Sequence, residues 1–166
     1  MHIRTEGPEE AAAISALTTR AFDSAEHADG TEAQIVERLR AAGALTVSLV
    51  AEEDGQLLGH VAVSPVEIGG HHGWHGLGPI SVAPERQRAG IGTALMRAAL
   101  TELRAAHCNG VVLVGNPAFY GHFGFRQAPK LLLDGIPPEV ILALPFGTDL
   151  PEGALRFHPA FGLEEV

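Results

Sequence analysis

Between Leu77 and Ala106 the chain reads LGPISVAPERQRAGIGTALMRAALTELRAA. A short apolar run ends at Pro84, a basic loop with glycines at 90 and 92 follows, and an amphipathic pattern starts at once. Ile91, Leu95, Ala99 and Leu103 form one helical stripe, with Arg97, Glu102 and Arg104 free to face water. A strand followed so closely by a helix requires a sheet with a helix packed on it, which confines the chain to mixed α/β or α+β architectures. The same junction sets the bare N–H groups and positive end of a helix beside two residues without Cβ atoms. That is the arrangement phosphate binding uses. Gln87, Arg88 and Thr93 add side-chain donors to it.

The remaining elements surround this unit. His2-Ile3-Arg4 reads as a short strand, and Glu9 to Phe22 as a helix with Pro8 at its start. Asp29-Gly30-Thr31 offers an N-cap to a second helix, Thr31 to Ala41, with Ile35 and Leu39 as its apolar stripe. Leu45 to Glu52 and Leu57 to Ile68, joined by Glu53-Asp54-Gly55, read as a hairpin. The run Gly69 to Gly73 reads as a loose turn into a strand from Trp74 to Val82. Val111 to Val114 has the unbroken apolar character of a strand buried on both faces. A short helix over Pro117 to His122, a strand near Phe123 to Gln127 and a last strand from Val140 to Leu144, stopped by Pro145, complete the expected set. No repeat or linker interrupts residues 1–166, so a single domain is expected.

Charge and composition exclude several functions. With 11 Lys+Arg against 20 Asp+Glu the net charge is −9, which disfavours nonspecific binding to nucleic acid and leans toward a cationic partner. The single Cys108 excludes an internal disulfide. The N-terminal residues turn acidic without an apolar stretch, and no run approaches the roughly 20 apolar residues of a membrane span. The expectation is a soluble, cytoplasmic protein without membrane or nucleic-acid partners.

Two motifs carry a family resemblance. Val82-x-Pro84-x-x-Gln87-x-x-Gly90-Ile91-Gly92 resembles motif A of the GNAT superfamily of N-acetyltransferases, and Asn116-Pro117-Ala118-Phe119-Tyr120-Gly121-His122-Phe123-Gly124-Phe125 resembles its second signature. The likeness covers about residues 1–130, leaving 131–166 as a C-terminal extension. His158 to Gly162 resembles the tail of a group of small bacterial predicted acetyltransferases. The resemblance implies a mostly antiparallel sheet flanked by helices, with a splayed parallel strand pair, here Ile80 to Val82 and Val111 to Val114, forming a cleft for acetyl-CoA. It assigns the pantetheine arm and acetyl carbonyl to Ile80, Ser81 and Val82, and the pyrophosphate to Gln87, Arg88, Ala89, Gly90, Ile91, Gly92 and Thr93. Asn116 and Phe119 join the cofactor site, and Tyr120 becomes the acid that protonates the departing thiolate. A primary amine would then attack the thioester directly in a ternary complex.

Each residue also has a plainer reading. Tyr120 could be a packing aromatic among Phe119, Phe123 and Phe125, and Asn116 a helix N-cap. Relatives often carry a glutamate as base near the strand before motif A. Trp74 to Val82 holds no carboxylate, so Glu67, His75, a water chain or a backbone carbonyl remain. Ala89 departs from the Gly, Arg or Lys common there, with Arg86 or Arg88 to compensate. The spacing of His71, His72 and His75 is not that of a closed zinc site, so no metal is expected. Cys108 reads as a small core residue. Edge strands near the C-terminus would suit a homodimer. The alternatives to an enzyme of this kind are an inactive acyl-CoA-binding module and, further off, a metal-dependent hydrolase built on the histidines.

Overall fold

The computed structural model describes residues 1–23 and 30–162. Asp29, half of the expected N-cap turn, lies outside those residues. Backbone contacts divide the chain into two units, Met1–Val63 with Gly78–Glu102, and Ser64–Leu77 with Leu103–Val166. The third and fourth strands run through both.

In the first unit β1 (His2–Thr5) lies antiparallel to β2 (Val47–Glu53), which pairs with β3 (Gln56–Ile68). The β2–β3 turn needs only Asp54 and Gly55, with φ of 52° and 79°. Positive φ at both positions is the hairpin turn whose twist matches the strands. Two helices, α1 (Ala11–Asp23) and α2 (Glu32–Ala41), bury Ile14 and Val36 against Val50 of β2 and Ala62 of β3. Helix α1 starts two residues later than its pattern suggested, because the Glu10 N–H closes a turn onto the Gly7 carbonyl at 3.2 Å. In α2 the buried pair is Val36 and Leu39, and Ile35 is only half-buried. Helix α3 (Ile91–Ala105) buries the expected stripe completely, with Ile91, Leu95, Ala99 and Leu103 at 3% exposure or less. A Cβ on Gly59 of β3 would come within 2.8 Å of Leu95 and 2.9 Å of Ile91, so the helix sits directly on that glycine. Each such fully buried leucine or isoleucine contributes about 1.5–3 kcal/mol.

The second unit begins on β3 and reverses at Gly69 and Gly70, with φ of 55° and 83°. This is again a two-residue turn, so β4 (His71–Val82) starts three residues earlier than expected and carries His71 and His72 on the strand itself. Strand β4 pairs in parallel with β5 (Gly110–Val114) at Trp74–Gly76 against Gly110–Val112. Helix α4 (Pro117–Tyr120) follows β5 and gives way to a 3-10 turn at Gly121–Phe123. Strand β6 is only Arg126–Gln127, shorter than its apolar surroundings suggested, and it pairs with β8 (Ile141–Pro145), which runs antiparallel to β5. Pro145 ends β8 from within, where it contributes a carbonyl but no N–H. The extension adds β7 (Leu131–Leu132), parallel to β9 (Gly153–Arg156), which pairs with the end of β3. Trp74, Val112, Ile141 and Phe157 meet in this unit's core. The tail is tied down: His158 Nδ1 accepts the Ala160 N–H at 3.0 Å, and Phe157 and Phe161 lie 5.2 Å apart. The sheet is thus mostly antiparallel, flanked by helices, with β4 and β5 as a parallel pair.

Candidate cofactor and active site

In the first unit β4 leads through Ala83 into a 3-10 turn, Pro84–Arg86, and then the loop before α3. The Gln87 side chain folds back so that its Nε2 donates to the Val82 carbonyl at 3.1 Å, closing the loop. Arg88 has φ of 66° and Gly90 φ of 88°, so the backbone turns twice through a region that disfavours side chains. Residues 87–90 are all exposed. The first helical hydrogen bond runs from the Ala94 N–H to the Gly90 carbonyl at 3.0 Å, so the helix itself provides no partner for the N–H groups of Gly90, Ile91, Gly92 and Thr93. A Cβ at Gly90 would meet nothing within 4 Å, and one at Gly92 only Val82 at 3.8 Å. Arg86 pairs with Glu53 at 2.6 Å, and Arg20 with Glu85 at 2.8 Å. Arg86 is therefore committed to Glu53, which leaves Arg88 as the cation to compensate for Ala89. Ile80 and Val82 are partly exposed. Ser81 is buried, with its Oγ 3.4 Å from Thr18 Oγ1.

In the second unit β5 ends at Val114, and Gly115 and Asn116 lead into α4. Its Oδ1 accepts the Ala118 N–H at 2.9 Å, which makes Asn116 the N-cap of α4. Phe119 is 40% exposed and stands edge-on to Tyr120 at 4.9 Å. Tyr120 is half-buried between Phe119 and Phe125, and burial pushes its phenol above the ordinary value of 10, so it stays protonated at neutral pH. A side chain on Gly115 would overlap the Tyr120 ring at Cε2. The Tyr120 ring thus occupies the space that a side chain at position 115 would need. Sequence reasoning missed Gly115, although a glycine between a buried strand and Asn-Pro was the available signal.

The two candidate bases differ. Glu67 is half-exposed, with its carboxylate 3.6 Å from His72 Nδ1. His75 is half-buried, its Nδ1 is enclosed without a hydrogen-bond partner, and burial holds its pKa below the ordinary value. It is therefore neutral at pH 7. Burial pushes the Cys108 thiol up, which leaves it protonated and unreactive. Among the described residues no three His, Cys, Asp or Glu side chains group as metal ligands, and no helix is long and apolar enough to cross a membrane.

Residues 45–127 match the model of the acetyltransferase (GNAT) domain. The chain is 39% identical over 130 residues to the uncharacterized N-acetyltransferase YhbS of Escherichia coli K12, covering 77% of this chain and 75% of that protein. The chain belongs to the GNAT acetyltransferase family. Among solved structures, a GNAT family acetyltransferase from Brucella melitensis in complex with acetyl-CoA is 48% identical, with 96% of this chain and 97% of that chain covered and a TM-score of 0.87. YhbS from Escherichia coli in complex with CoA also superposes at a TM-score of 0.87, at 32% identity and with 97% and 91% covered. The GNAT match spans both the loop before α3 and the Asn116–Phe125 segment.

Proposed function

We propose that this protein transfers an acetyl group from acetyl-CoA to a primary amine, and that the residues named above carry the cofactor and the proton. As a GNAT member it is an acetyl-CoA-dependent N-acyltransferase. Bound acetyl-CoA supplies the activated acetyl thioester. The observation that carries the reading is the loop Gln87–Thr93, where free N–H groups, a positive helix end and room at Gly90 and Gly92 coincide. Those features fit a pyrophosphate. The N–H groups of Gly90 to Thr93 donate to it, Arg88 adds charge, and the helix end contributes roughly 0.3–1 kcal/mol per negative charge.

Backbone groups of Ile80, Ser81 and Val82 pair with the pantetheine arm and polarise the acetyl carbonyl. Asn116 and Phe119 steady the arm. Tyr120 Oη gives its proton to the departing thiolate. An ordinary phenol, near 10, is close enough to a thiol near 8.5 for that transfer, and burial, which raises the Tyr120 pKa, keeps this phenol protonated until the thiolate departs. The acidic surface favours a cationic acceptor. Calorimetry with acetyl-CoA should show saturable binding, and a thiol-release assay across an amine panel should show turnover. No binding at high micromolar acetyl-CoA would sink the reading, and binding without turnover would leave a cofactor module in its place.

A further inference from the structure

At the start of β4 in the second unit lies an open cavity of about 1160 Å³ that the acetyl-transfer reading does not use. It is lined by His71, His72, Trp74, Arg104, His107 and Phe146, among others. The three histidines could suggest a metal, yet among the described residues they form no ligand cluster. The one permanent positive charge there is Arg104. Its guanidinium carbon sits 4.2 Å over the Phe146 ring, and both side chains line the cavity. Asp149 lines the same space, but Arg104 makes no ion pair among the described residues. By contrast Arg4, Arg20, Arg40 and Arg86 each have a carboxylate within 3.0 Å.

The walls are built from the backbone. The Asn109 N–H donates to the Gly73 carbonyl at 2.8 Å, its side-chain Nδ2 to the His72 carbonyl at 3.2 Å, and the Phe146 N–H to the Asn109 carbonyl at 2.9 Å. His107 is held with φ of 59° by the turn that ends α3, where the His107 N–H reaches the Arg104 carbonyl at 3.0 Å and the Cys108 N–H the Leu103 carbonyl at 3.2 Å. Each imidazole can donate at least one N–H, and Thr148 adds a hydroxyl.

We propose that this cavity is a second ligand site, which takes the carboxylate or phosphate group of a small molecule on the stacked guanidinium of Arg104. A planar fork held against an aromatic ring, with no carboxylate paired to it among the described residues, is matched to a bidentate oxyanion. The net charge of −9 does not forbid this, because charges more than about 8 Å away are screened at physiological salt. The cavity also carries its own reporter, since Trp74 is the only tryptophan in the chain.

The test titrates the full chain with inorganic phosphate and, separately, with succinate at constant ionic strength, following Trp74 fluorescence. Saturation below about 10 mM by either is expected, with phosphate alone or succinate alone naming the preferred group. Arg104→Gln should weaken it at least tenfold, and Arg104→Lys should fall between, keeping charge but losing the fork. His107→Gln, expected to weaken binding about threefold, keeps the test open if Arg104→Gln fails to fold. Acetyl-CoA affinity should be unchanged in all three. Absence of saturation, an unaltered anion affinity in Arg104→Gln, or loss of the anion response under saturating CoA would overturn the proposal.

Discussion

Two polar regions of the first unit answer the same problem in opposite ways. The loop Gln87–Thr93 leaves its donors unspent at the surface. The cluster of Glu6, Arg40, Ser48 and His60 instead turns its donors onto one another. Arg40 forks onto the Glu6 carboxylate with two bonds of 3.0 Å, Ser48 Oγ donates to Glu6, and His60 Nε2 lies 2.8 Å from Ser48 Oγ. Burial alone would raise the Glu6 pKa, but the hydrogen bonds from Arg40 and Ser48 outweigh it and hold the carboxyl below the usual range. An ionised Glu6 can only accept. Ser48 therefore donates to it and must accept from His60, which puts the proton of the neutral imidazole on Nε2. Internally paired charges secure the scaffold, whereas donors left open at the surface are available to a ligand. Stability and affinity should accordingly separate under mutation.

Glu6→Gln tests the closed side and carries the largest expected effect. It strips Arg40 of its counter-charge in a half-buried site, and should cost about 3 kcal/mol of stability in urea unfolding. Acetyl-CoA affinity should stay within twofold, and a loss of affinity equal to the loss of stability would break the distinction. Acid should do nearly as much. Burial lowers the His60 pKa from its ordinary 6.5 to about 4, with Glu6 pulling it partly back up. Because the unfolded chain binds the proton more readily, the stability due to neutral His60 is complete above pH 6.5. It drains as pH falls from 6.5 toward 4, by about 3 kcal/mol at most. Glu6, whose folded pKa is depressed, adds a further loss of the same sign only below its ordinary 4.5. Unfolding free energies that stay flat between pH 7 and 4.5 would show His60 to be wetter than its full burial implies.

Gly92→Val addresses the open side. Its Cβ would meet only Val82 at an ordinary 3.8 Å, and Gly92 is not held at positive φ, so the fold should tolerate the change. A branched side chain at the exposed helix start would obstruct an approaching pyrophosphate. Acetyl-CoA affinity should fall about 10²-fold, or about 2.7 kcal/mol, with the melting temperature nearly unchanged. Unaltered affinity would mean that the phosphate does not lie at this loop.

The open region was legible in the sequence and the closed one was not, for a physical reason. Strand, loop and stripe in Leu77–Ala106 are set by neighbours along the chain, and so is the Asp54-Gly55 turn. The closed cluster joins residues 34, 42 and 12 positions apart, and nothing local marks Glu6 or His60 as partners. The same limit explains smaller misses. Two glycines sufficed for the turn at Gly69-Gly70, so His71 and His72 moved onto β4. Packing against Val50 and Ala62 selected Val36 over Ile35. Gly115 is singled out only by the Tyr120 ring that the fold brings against it.

In the second unit the same contrast is local, with the half-buried Tyr120 ring packed against the space at Gly115. Tyr120→Phe removes the phenol and keeps the ring, so kcat should drop about 10²-fold while acetyl-CoA affinity is kept. An unchanged rate would reduce Tyr120 to a packing residue. Gly115→Ala should act through the same phenol and by less. The new methyl overlaps Cε2, the ring must tilt away, and a displaced Oη donates less well, with kcat expected to fall about tenfold. Some stability should go too, since the ring also packs on Phe119 and Phe125. The decisive measurement is therefore the double variant. If Gly115 works by positioning Oη, adding Gly115→Ala to Tyr120→Phe should leave kcat where Tyr120→Phe alone puts it, because no proton donor remains to be displaced. If the two effects multiply instead, Gly115 is shaping the end of β5 for some other group, and the close contact with Tyr120 is only packing.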